Sequence, residues 1–163
     1  MKMEERYYMT AKTSNDILKV LLIDDQQIFT ESLSICVSNY AKDIEIVGTG
    51  SNGEEAIRMA KELQPHIIVM DARMPIMDGV DAVRIIKKAM PQVQIIMLST
   101  YQEDILVRNA LLAGASGYLL KDISPKELIT AIRALKSGVM QISPEIIQKF
   151  VTEHQENKKR SLI

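Results

Sequence analysis

Acidic and other polar side chains follow four apolar runs of the sequence, at the point where each run ends. In chain order these side chains are Asp24 with Asp25, Asp71, Ser99 with Thr100, and Lys121 with Asp122. The residues before Asp71, Ile-Ile-Val-Met, lack polar alternation, which is typical of a strand buried on both faces of a parallel sheet. Ligands bind beyond the carboxyl ends of strands in open α/β sheets. We therefore expect these side chains to meet at one rim.

The residue types at this rim suit phosphoryl chemistry. Carboxylates gathered at one place repel one another, and a hard divalent cation such as Mg²⁺ relieves that repulsion by taking oxygen ligands. A lysine and a hydroxyl beside such a cation offer a charge and a hydrogen bond to phosphoryl oxygens. Aspartate can itself accept a phosphoryl group. Because Asp71 follows the central strand of the set, the pattern predicts it as the acceptor.

Several of these residues, taken singly, have simpler roles. Thr100 and Glu103 have the spacing of a capping box, so we expect Thr100 to be a helix N-cap rather than a phosphate ligand. Tyr118 alone would be read as a core residue. We expect Asp78 and Asp122 to be loop or turn acids. The functional reading depends on the joint placement of the acids, hydroxyl and lysine rather than on any one of them.

Apolar periodicity divides the centre of the chain into alternating strands and helices. Predicted strands cover residues 17–23, 44–47, 66–70, 93–98 and 116–120, and helices, with their caps, cover 27–40, 52–63, 79–89, 100–113 and 124–138. The connections are short. This alternation predicts an α/β fold: one five-stranded parallel sheet with right-handed crossovers and helices on both faces.

The remaining segments fall outside this alternation. Residues 1–16 are polar and lack a sustained period, so we expect a flexible N-terminal extension. Residues 17–138 form the predicted domain. Residues 139–163 are predicted as a linker helix with a basic tail, which includes Lys158, Lys159 and Arg160.

Composition limits the classes of function. The 163 residues are 47% hydrophobic and 25% charged, which suits one domain with a single core. A net charge of −1 gives no bulk attraction to DNA or to anionic membranes. No apolar run is long enough to span a membrane and no signal peptide is evident, so we expect a cytoplasmic protein. Cys36, the only cysteine, is expected to be a buried, inert thiol.

Motifs over about residues 18–138 resemble the response-regulator receiver domain of two-component systems. They are Ile23-Asp24-Asp25, Met70-Asp71 with Met74-Pro75 and Asp78-Gly79, Leu98-Ser99, and Gly114-Ala-Ser-Gly-Tyr-Leu-Leu-Lys121. The resemblance implies a doubly wound, flavodoxin-like sheet with strand order 2-1-3-4-5. It also implies a phosphoacceptor rather than an enzyme, with self-phosphorylation and autodephosphorylation as its only chemistry.

The resemblance assigns a role to each site residue. It implies that Asp71 accepts phosphate from the phosphohistidine of a sensor histidine kinase, and that Lys121 pairs with the phosphoryl group. The implied Mg²⁺ ligands are Asp24, Asp25, Asp71 and the backbone carbonyl of Arg73. Ser99 is the implied switch hydroxyl, where threonine is commoner, and Tyr118 is the switch aromatic. We expect Tyr118 to rotate inward when Ser99 is drawn toward phosphoryl oxygens.

The residue after the lysine points to a subfamily. Lys121 is followed by Asp122, where many receivers have proline, and with Gly-Tyr-Leu-Leu this resembles the LuxR/NarL/FixJ-type regulators. The implied output is transcription through a LuxR-type helix-turn-helix domain, for which the chain is expected to end too early. The implied partners are a sensor kinase, a second copy in a phosphorylation-dependent homodimer, and DNA only through that missing domain. No membrane partner is expected.

Three other classes of protein share part of this pattern. A stand-alone receiver that acts as a phosphorelay or protein-docking module without DNA binding stays open. A haloacid-dehalogenase-like phosphatase needs a second aspartate two positions after the first, where this chain has Arg73. A nucleotide-binding Rossmann domain needs Gly-x-Gly-x-x-Gly after the first strand, where Asp24-Asp25-Gln-Gln stands.

Overall fold

The computed structural model describes residues 17–162, so the predicted N-terminal extension lies outside the described residues. The strands are β1 Leu18–Ile23, β2 Ile44–Gly50, β3 Ile67–Met70, β4 Gln94–Ser99, β5 Gly117–Leu120 and β6 Gln141–Ile142. The helices are α1 Gln27–Tyr40, α2 Gly53–Leu63, α3 Gly79–Ala89, α4 Asp104–Ala113, α5 Pro125–Lys136 and α6 Pro144–Arg160. No helix in this described part is long and apolar enough to cross a membrane.

The strands form one parallel sheet in the order β2-β1-β3-β4-β5-β6. The predicted order of the first five strands is confirmed. The five-stranded prediction missed β6, which pairs in parallel with β5. Two residues give no recognisable apolar run, and their position is fixed by the long-range pairing of Gln141 and Ile142 with the β5 edge.

Two apolar layers lie on opposite faces of the sheet. One contains Ala56 and Ala60 of α2, Val83 and Ile86 of α3, Val107 and Ala110 of α4, and Ile146 of α6. The other contains Leu33 and Val37 of α1 with Leu128, Ile132 and Leu135 of α5. The sheet is therefore covered on both faces, as the unbroken apolar strands β3 and β5 require. The doubly wound prediction is confirmed.

Local capping explains the start of α2 and α5 and the end of α4. The Asn52 side chain accepts from Glu55 N at 2.9 Å, so Asn52 is the N-cap of α2 as predicted. Ser124 and Glu127 form the predicted capping box of α5. Gly114 closes α4 with a φ of 110°, in the left-handed region that glycine adopts without steric cost.

Two local predictions are corrected. Thr100 is not a helix N-cap, because α4 begins only at Asp104, Glu103 is its N-cap, and no side-chain cap bond is made. Residues 100–103 instead form a loop in which the backbone of Tyr101 is bonded to the side chains of Ser99 and Tyr118. Cys36 is half-buried rather than buried, since it lies at the edge of the face that α1 turns toward the sheet.

Candidate functional site

Three carboxylates lie together at the carboxyl ends of β1 and β3. Asp24 is 4% exposed and Asp71 is 5% exposed, whereas Asp25 is exposed to solvent. One oxygen from each of the three residues lies within 4.8 Å of the others. Parallel neighbours end at the same rim, and β1 pairs with β3 from Val20 to Ile23, which brings Asp24 beside Asp71. The predicted clustering of these acids is thus present.

Lys121, directly after β5, reaches across the rim to the buried acids. Its Nζ lies 2.6 Å from Asp24 Oδ2 and 3.2 Å from Asp71 Oδ2. Two further groups from the start of the first helix also contact this ammonium. Nζ donates to Gln26 Oε1 at 3.3 Å and lies 4.8 Å from the centre of the Phe29 ring. Sequence reasoning did not identify Gln26 or Phe29.

Burial and charge act in opposite directions on this pair. Burial raises the pKa of Asp24 above its usual value, although the ion pair with Lys121 and the hydrogen bond from Gln26 N oppose the rise. Burial alone would lower the pKa of Lys121, but contacts with Asp24 and Asp71 outweigh it and raise that pKa. The lysine therefore stays charged at neutral pH and neutralises part of the acid cluster.

Backbone amides orient the two buried carboxylates. Gln26 N donates to Asp24 Oδ1 at 2.9 Å, and Ala72 N donates to Asp71 Oδ1 at 2.7 Å. Each acid therefore turns its other oxygen toward Lys121. Gly79 passes so close to Asp71 that a Cβ there would lie 2.0 Å from the Asp71 backbone oxygen, so only glycine fits at this position.

The side chains of Ser99 and Tyr118 both form hydrogen bonds with the backbone of Tyr101. The Ser99 side chain is fully buried, and its Oγ accepts a hydrogen bond from Tyr101 N at 3.1 Å. Tyr118 is also fully buried, and its hydroxyl donates to the backbone carbonyl of Tyr101. Burial raises the pKa of Tyr118 to about 12, and the nearby Ser99 hydroxyl partly opposes that shift. In this conformation the Tyr118 ring is already inside the domain.

Arg73 links two loops at the edge of the site. Its Nη2 lies 3.0 Å from Glu103 Oε1, and its guanidinium lies 4.7 Å from the centre of the Tyr101 ring. Sequence reasoning assigned Arg73 only a backbone role and missed these side-chain contacts. No local pattern marks them, because Arg73 and Glu103 are 30 residues apart in the chain.

The remaining candidates have local structural roles. Asp78 is the N-cap of α3, with its Oδ1 accepting from Asp81 N at 2.9 Å. Asp122 is exposed in the turn after β5. The structure therefore places Asp24, Asp25, Asp71 and Lys121 in one cluster. Ser99 and Tyr118 meet at Tyr101, and Ser99 adjoins the cluster through its backbone carbonyl, which accepts from Lys121 N at 3.1 Å.

Comparison with known proteins identifies the family. The sequence-family model named response regulator receiver domain matches residues 20–133 of this chain. The chain is 37% identical over 142 residues to the transcriptional regulatory protein LnrK of Bacillus subtilis, with 87% of this chain and 64% of LnrK covered. It is 42% identical over 133 residues to the response regulator protein VraR of Staphylococcus aureus, with 82% and 63% covered. It thus spans a little under two thirds of the length of these relatives.

Solved structures agree with this assignment. A LuxR-family two-component response regulator from Aurantimonas sp. SI85-9A1 superposes with a TM-score of 0.79 at 30% identity, covering 85% of this chain and 98% of that one. The receiver domain of the putative response regulator NarL from Mycobacterium tuberculosis gives a TM-score of 0.71 at 28% identity, covering 76% and 98%. The chain therefore belongs to the response-regulator receiver family and is homologous to LuxR-type two-component regulators.

Proposed function

We propose that Asp71 accepts a phosphoryl group from the phosphohistidine of a sensor histidine kinase, and that this chain is a phosphoacceptor and not an enzyme with a separate substrate. The observation that carries the proposal is the position of Asp71 Oδ2, 3.2 Å from the Lys121 ammonium and inside a cluster of three carboxylates. An anionic phosphoryl group needs such a cation beside the acceptor oxygen.

The donor set suits Mg²⁺. Three carboxylates supply hard oxygen ligands, and the exposure of Asp25 leaves one side of the cluster open to solvent. We propose Asp24, Asp25, Asp71 and the backbone carbonyl of Arg73 as the residues that hold the ion. When bound, Mg²⁺ supplies positive charge that offsets both the clustered acids and the phosphoryl oxygens.

The hydrogen bonds at Asp71 select the attacking oxygen. Oδ1 accepts from Ala72 N at 2.7 Å, so Oδ2, which faces the Lys121 ammonium, is the oxygen placed to attack phosphorus. An O–P bond forms at Oδ2, and the N–P bond of the phosphohistidine breaks with its electron pair leaving on the imidazole. Lys121 is already at Oδ2 and pairs with the transferred group. Ser99, which is buried beside this rim, supplies the hydroxyl that responds to the phosphoryl group on Asp71.

Intact-mass spectrometry tests this assignment. We expect acetyl phosphate with Mg²⁺ to add one phosphoryl group to the wild-type chain and none to Asp71→Asn. Asp25→Ala should weaken Mg²⁺ binding in a calorimetric titration, while Asp81→Asn, which alters an exposed acid on α3, should not. A phosphoryl adduct that persists in Asp71→Asn overturns the assignment of the acceptor.

We further propose a transcriptional output through a DNA-binding domain outside this chain, reached through a phosphorylation-dependent homodimer. Homology to LuxR-type regulators supports this proposal. Ile28 and Ile35 on α1, which are 81% and 62% exposed, offer apolar contacts for a second copy. The test is light scattering coupled to size exclusion, with and without beryllofluoride and Mg²⁺. A monomer in both conditions favours the alternative of a stand-alone docking or phosphorelay module.

A further inference from the structure

The C-terminal helix α6 turns one face toward the domain. Ile146 is 2% exposed and joins the apolar layer that contains Val107 and Ala110 of α4, and Phe150 packs against the same layer. Lys149 follows Ile146 by three positions and therefore flanks this apolar face on the helix surface. The helix predicted as a linker is thus packed against the domain along this part of its length.

Lys149 fastens this face to the segment that precedes α4. Its Nζ lies 3.1 Å from Oδ1 of Asp104, the first residue of α4, and donates to the backbone carbonyl of Gln102 at 3.2 Å. Both contacts are partly exposed to solvent, with 43% and 31% of the Lys149 and Asp104 side chains accessible. Such contacts are individually weak, so a modest change in the loop is enough to break them.

The same loop is bonded to the phosphoacceptor rim. Tyr101 N donates to Ser99 Oγ, the Tyr118 hydroxyl donates to Tyr101 O, and the next carbonyl along the chain, that of Gln102, accepts from Lys149. Two adjacent peptide groups therefore join the buried hydroxyl, the buried tyrosine and the C-terminal helix. Release of Tyr101 N by Ser99 therefore frees one attachment of the segment that also carries the Gln102 carbonyl.

We propose that the packing of α6 against the domain responds to phosphorylation of Asp71. Lys149 holds the helix while Ser99 bonds Tyr101, and the helix loosens when Asp71 is phosphorylated. The proposal rests on the proposed phosphoacceptor function. Serine has no second branch at Cβ, so its Oγ turns readily from Tyr101 N toward a phosphoryl oxygen on Asp71. Tyr101 then loses one of the two hydrogen bonds that fix the loop, and the Gln102 carbonyl that Lys149 contacts is less firmly placed. Occupancy of the rim is thereby transmitted to the C-terminal segment.

The contacts of Lys149 with Gln102 and Asp104, here called the Lys149 clasp, are tested by hydrogen exchange followed by mass spectrometry on the full chain. We expect Lys149→Ala to make the amides of α6 exchange about two- to fivefold faster, the range that loss of a partly exposed ion pair produces. Lys158→Ala on the same helix is the matched control, because Lys158 forms no ion pair within residues 17–162. Phe150→Ala, which removes apolar packing, marks the exchange of an undocked helix. Equal α6 exchange in wild type and Lys149→Ala overturns the clasp.

Beryllofluoride with Mg²⁺, a phosphoryl mimic, tests the coupling. We expect it to accelerate α6 exchange in the wild type and in Lys158→Ala by a similar factor, and to add little in Lys149→Ala. Intact mass after acetyl phosphate is measured on the same samples. A phosphoryl adduct together with α6 exchange that is unchanged or slower in beryllofluoride overturns the coupling alone. Absence of the adduct overturns the proposed function, and the coupling with it.

Discussion

The hydroxyl of Tyr118 donates a hydrogen bond to the backbone carbonyl of Tyr101, and this bond ties the end of the sheet to the loop before α4. Tyr118 is fully buried on β5, whereas the Tyr101 side chain is 41% exposed. The loop is therefore held by a group inside the core rather than by a cap of its own. Residues 100–103 precede α4, which begins only at Asp104, and the Tyr101 carbonyl in this segment is bonded to β5.

Removal of this hydroxyl should loosen the loop. We predict that Tyr118→Phe lowers the free energy of unfolding by about 1 kcal/mol, because the ring still packs but one hydrogen bond is lost. Urea denaturation measures the change. Tyr40→Phe is the control, since Tyr40 is 62% exposed on α1 and should change stability little. A loss in Tyr118→Phe no larger than that in Tyr40→Phe would show that the bond does not stabilise the fold.

Lys121 should behave as a cation that competes with Mg²⁺ for Asp24. Its Nζ lies 2.6 Å from Asp24 Oδ2, so a bound divalent ion must share or displace that contact. We predict that Lys121→Met lowers the free energy of unfolding by about 3 kcal/mol in the absence of Mg²⁺, because two buried carboxylates lose their partner. Saturating Mg²⁺ should restore part of this loss, and acetyl phosphate should no longer phosphorylate the chain.

Urea denaturation with and without Mg²⁺, together with a calorimetric Mg²⁺ titration, checks this prediction. Lys88→Met, which replaces an exposed lysine on α3, is the matched control. Mg²⁺ affinity in Lys121→Met should be equal to or above that of the wild type, since the competing ammonium is gone. An affinity clearly below the wild type would mean that Lys121 helps to build the ion site rather than competing for it.

The sequence predicted the rim well because its signals are local. The unbroken apolar run of β3 ends at Asp71, and strand ends in a parallel sheet share one edge, so neighbouring acids follow from strand bounds alone. The caps at Asn52 and Ser124 were equally local, since each bond joins residues three apart. Thr100 failed for the opposite reason. Its capping pattern competed with the bond that the Tyr118 hydroxyl donates to the Tyr101 carbonyl, 17 residues away in the chain, and with the bond from Tyr101 N to Ser99 Oγ.

Contacts between distant segments were not predictable from patterns in one sequence. The Lys149 clasp on Gln102 spans 47 residues, and Lys121 meets Gln26 across 95 residues. Each depends on how helices pack on the finished sheet. The functional roles predicted for the site residues stay predictions, because the structure shows where these residues lie and not the reaction in which they take part. They are the roles of Asp71, Asp24, Asp25, Arg73, Ser99, Tyr118 and Lys121. The predicted domain bounds at 16 and 138 also stay predictions.

Backbone strain lies next to the site, at Ile76. Its φ is 70°, a left-handed value that is rare for a β-branched residue, and its side chain is 76% exposed. We predict that Ile76→Gly raises the free energy of unfolding by about 1 kcal/mol, since relief of strain outweighs the greater freedom of glycine in the unfolded chain. Urea denaturation measures it. Ile76→Val keeps the branch and should leave stability unchanged, so equal stability of both variants and wild type would argue against strain.

An ion pair on the far side of the domain should give a pH-dependent contribution to stability. Arg133 of α5 holds the Asp43 carboxylate through two hydrogen bonds, Nε to Oδ2 at 2.8 Å and Nη2 to Oδ1 at 2.6 Å. These bonds lower the pKa of the Asp43 carboxyl below its usual value. A lowered folded-state pKa means that the stabilisation is complete above the unfolded-state pKa and is lost as pH falls through the folded-state pKa.

We therefore predict that Asp43→Asn is less stable than the wild type by about 0.5 kcal/mol at neutral pH, a small value because both side chains are about half exposed. The difference in the free energy of unfolding should begin to shrink as the pH falls below the unfolded-state pKa of aspartate. It should approach zero below the folded-state pKa of Asp43. Urea denaturation across this acid range measures it. Glu45→Gln, an exposed acid on β2 without an ion pair in the described part of the chain, should show no such pH-dependent difference. A difference between wild type and Asp43→Asn that persists unchanged into acid would mean that Arg133 does not stabilise the fold through the charge of Asp43.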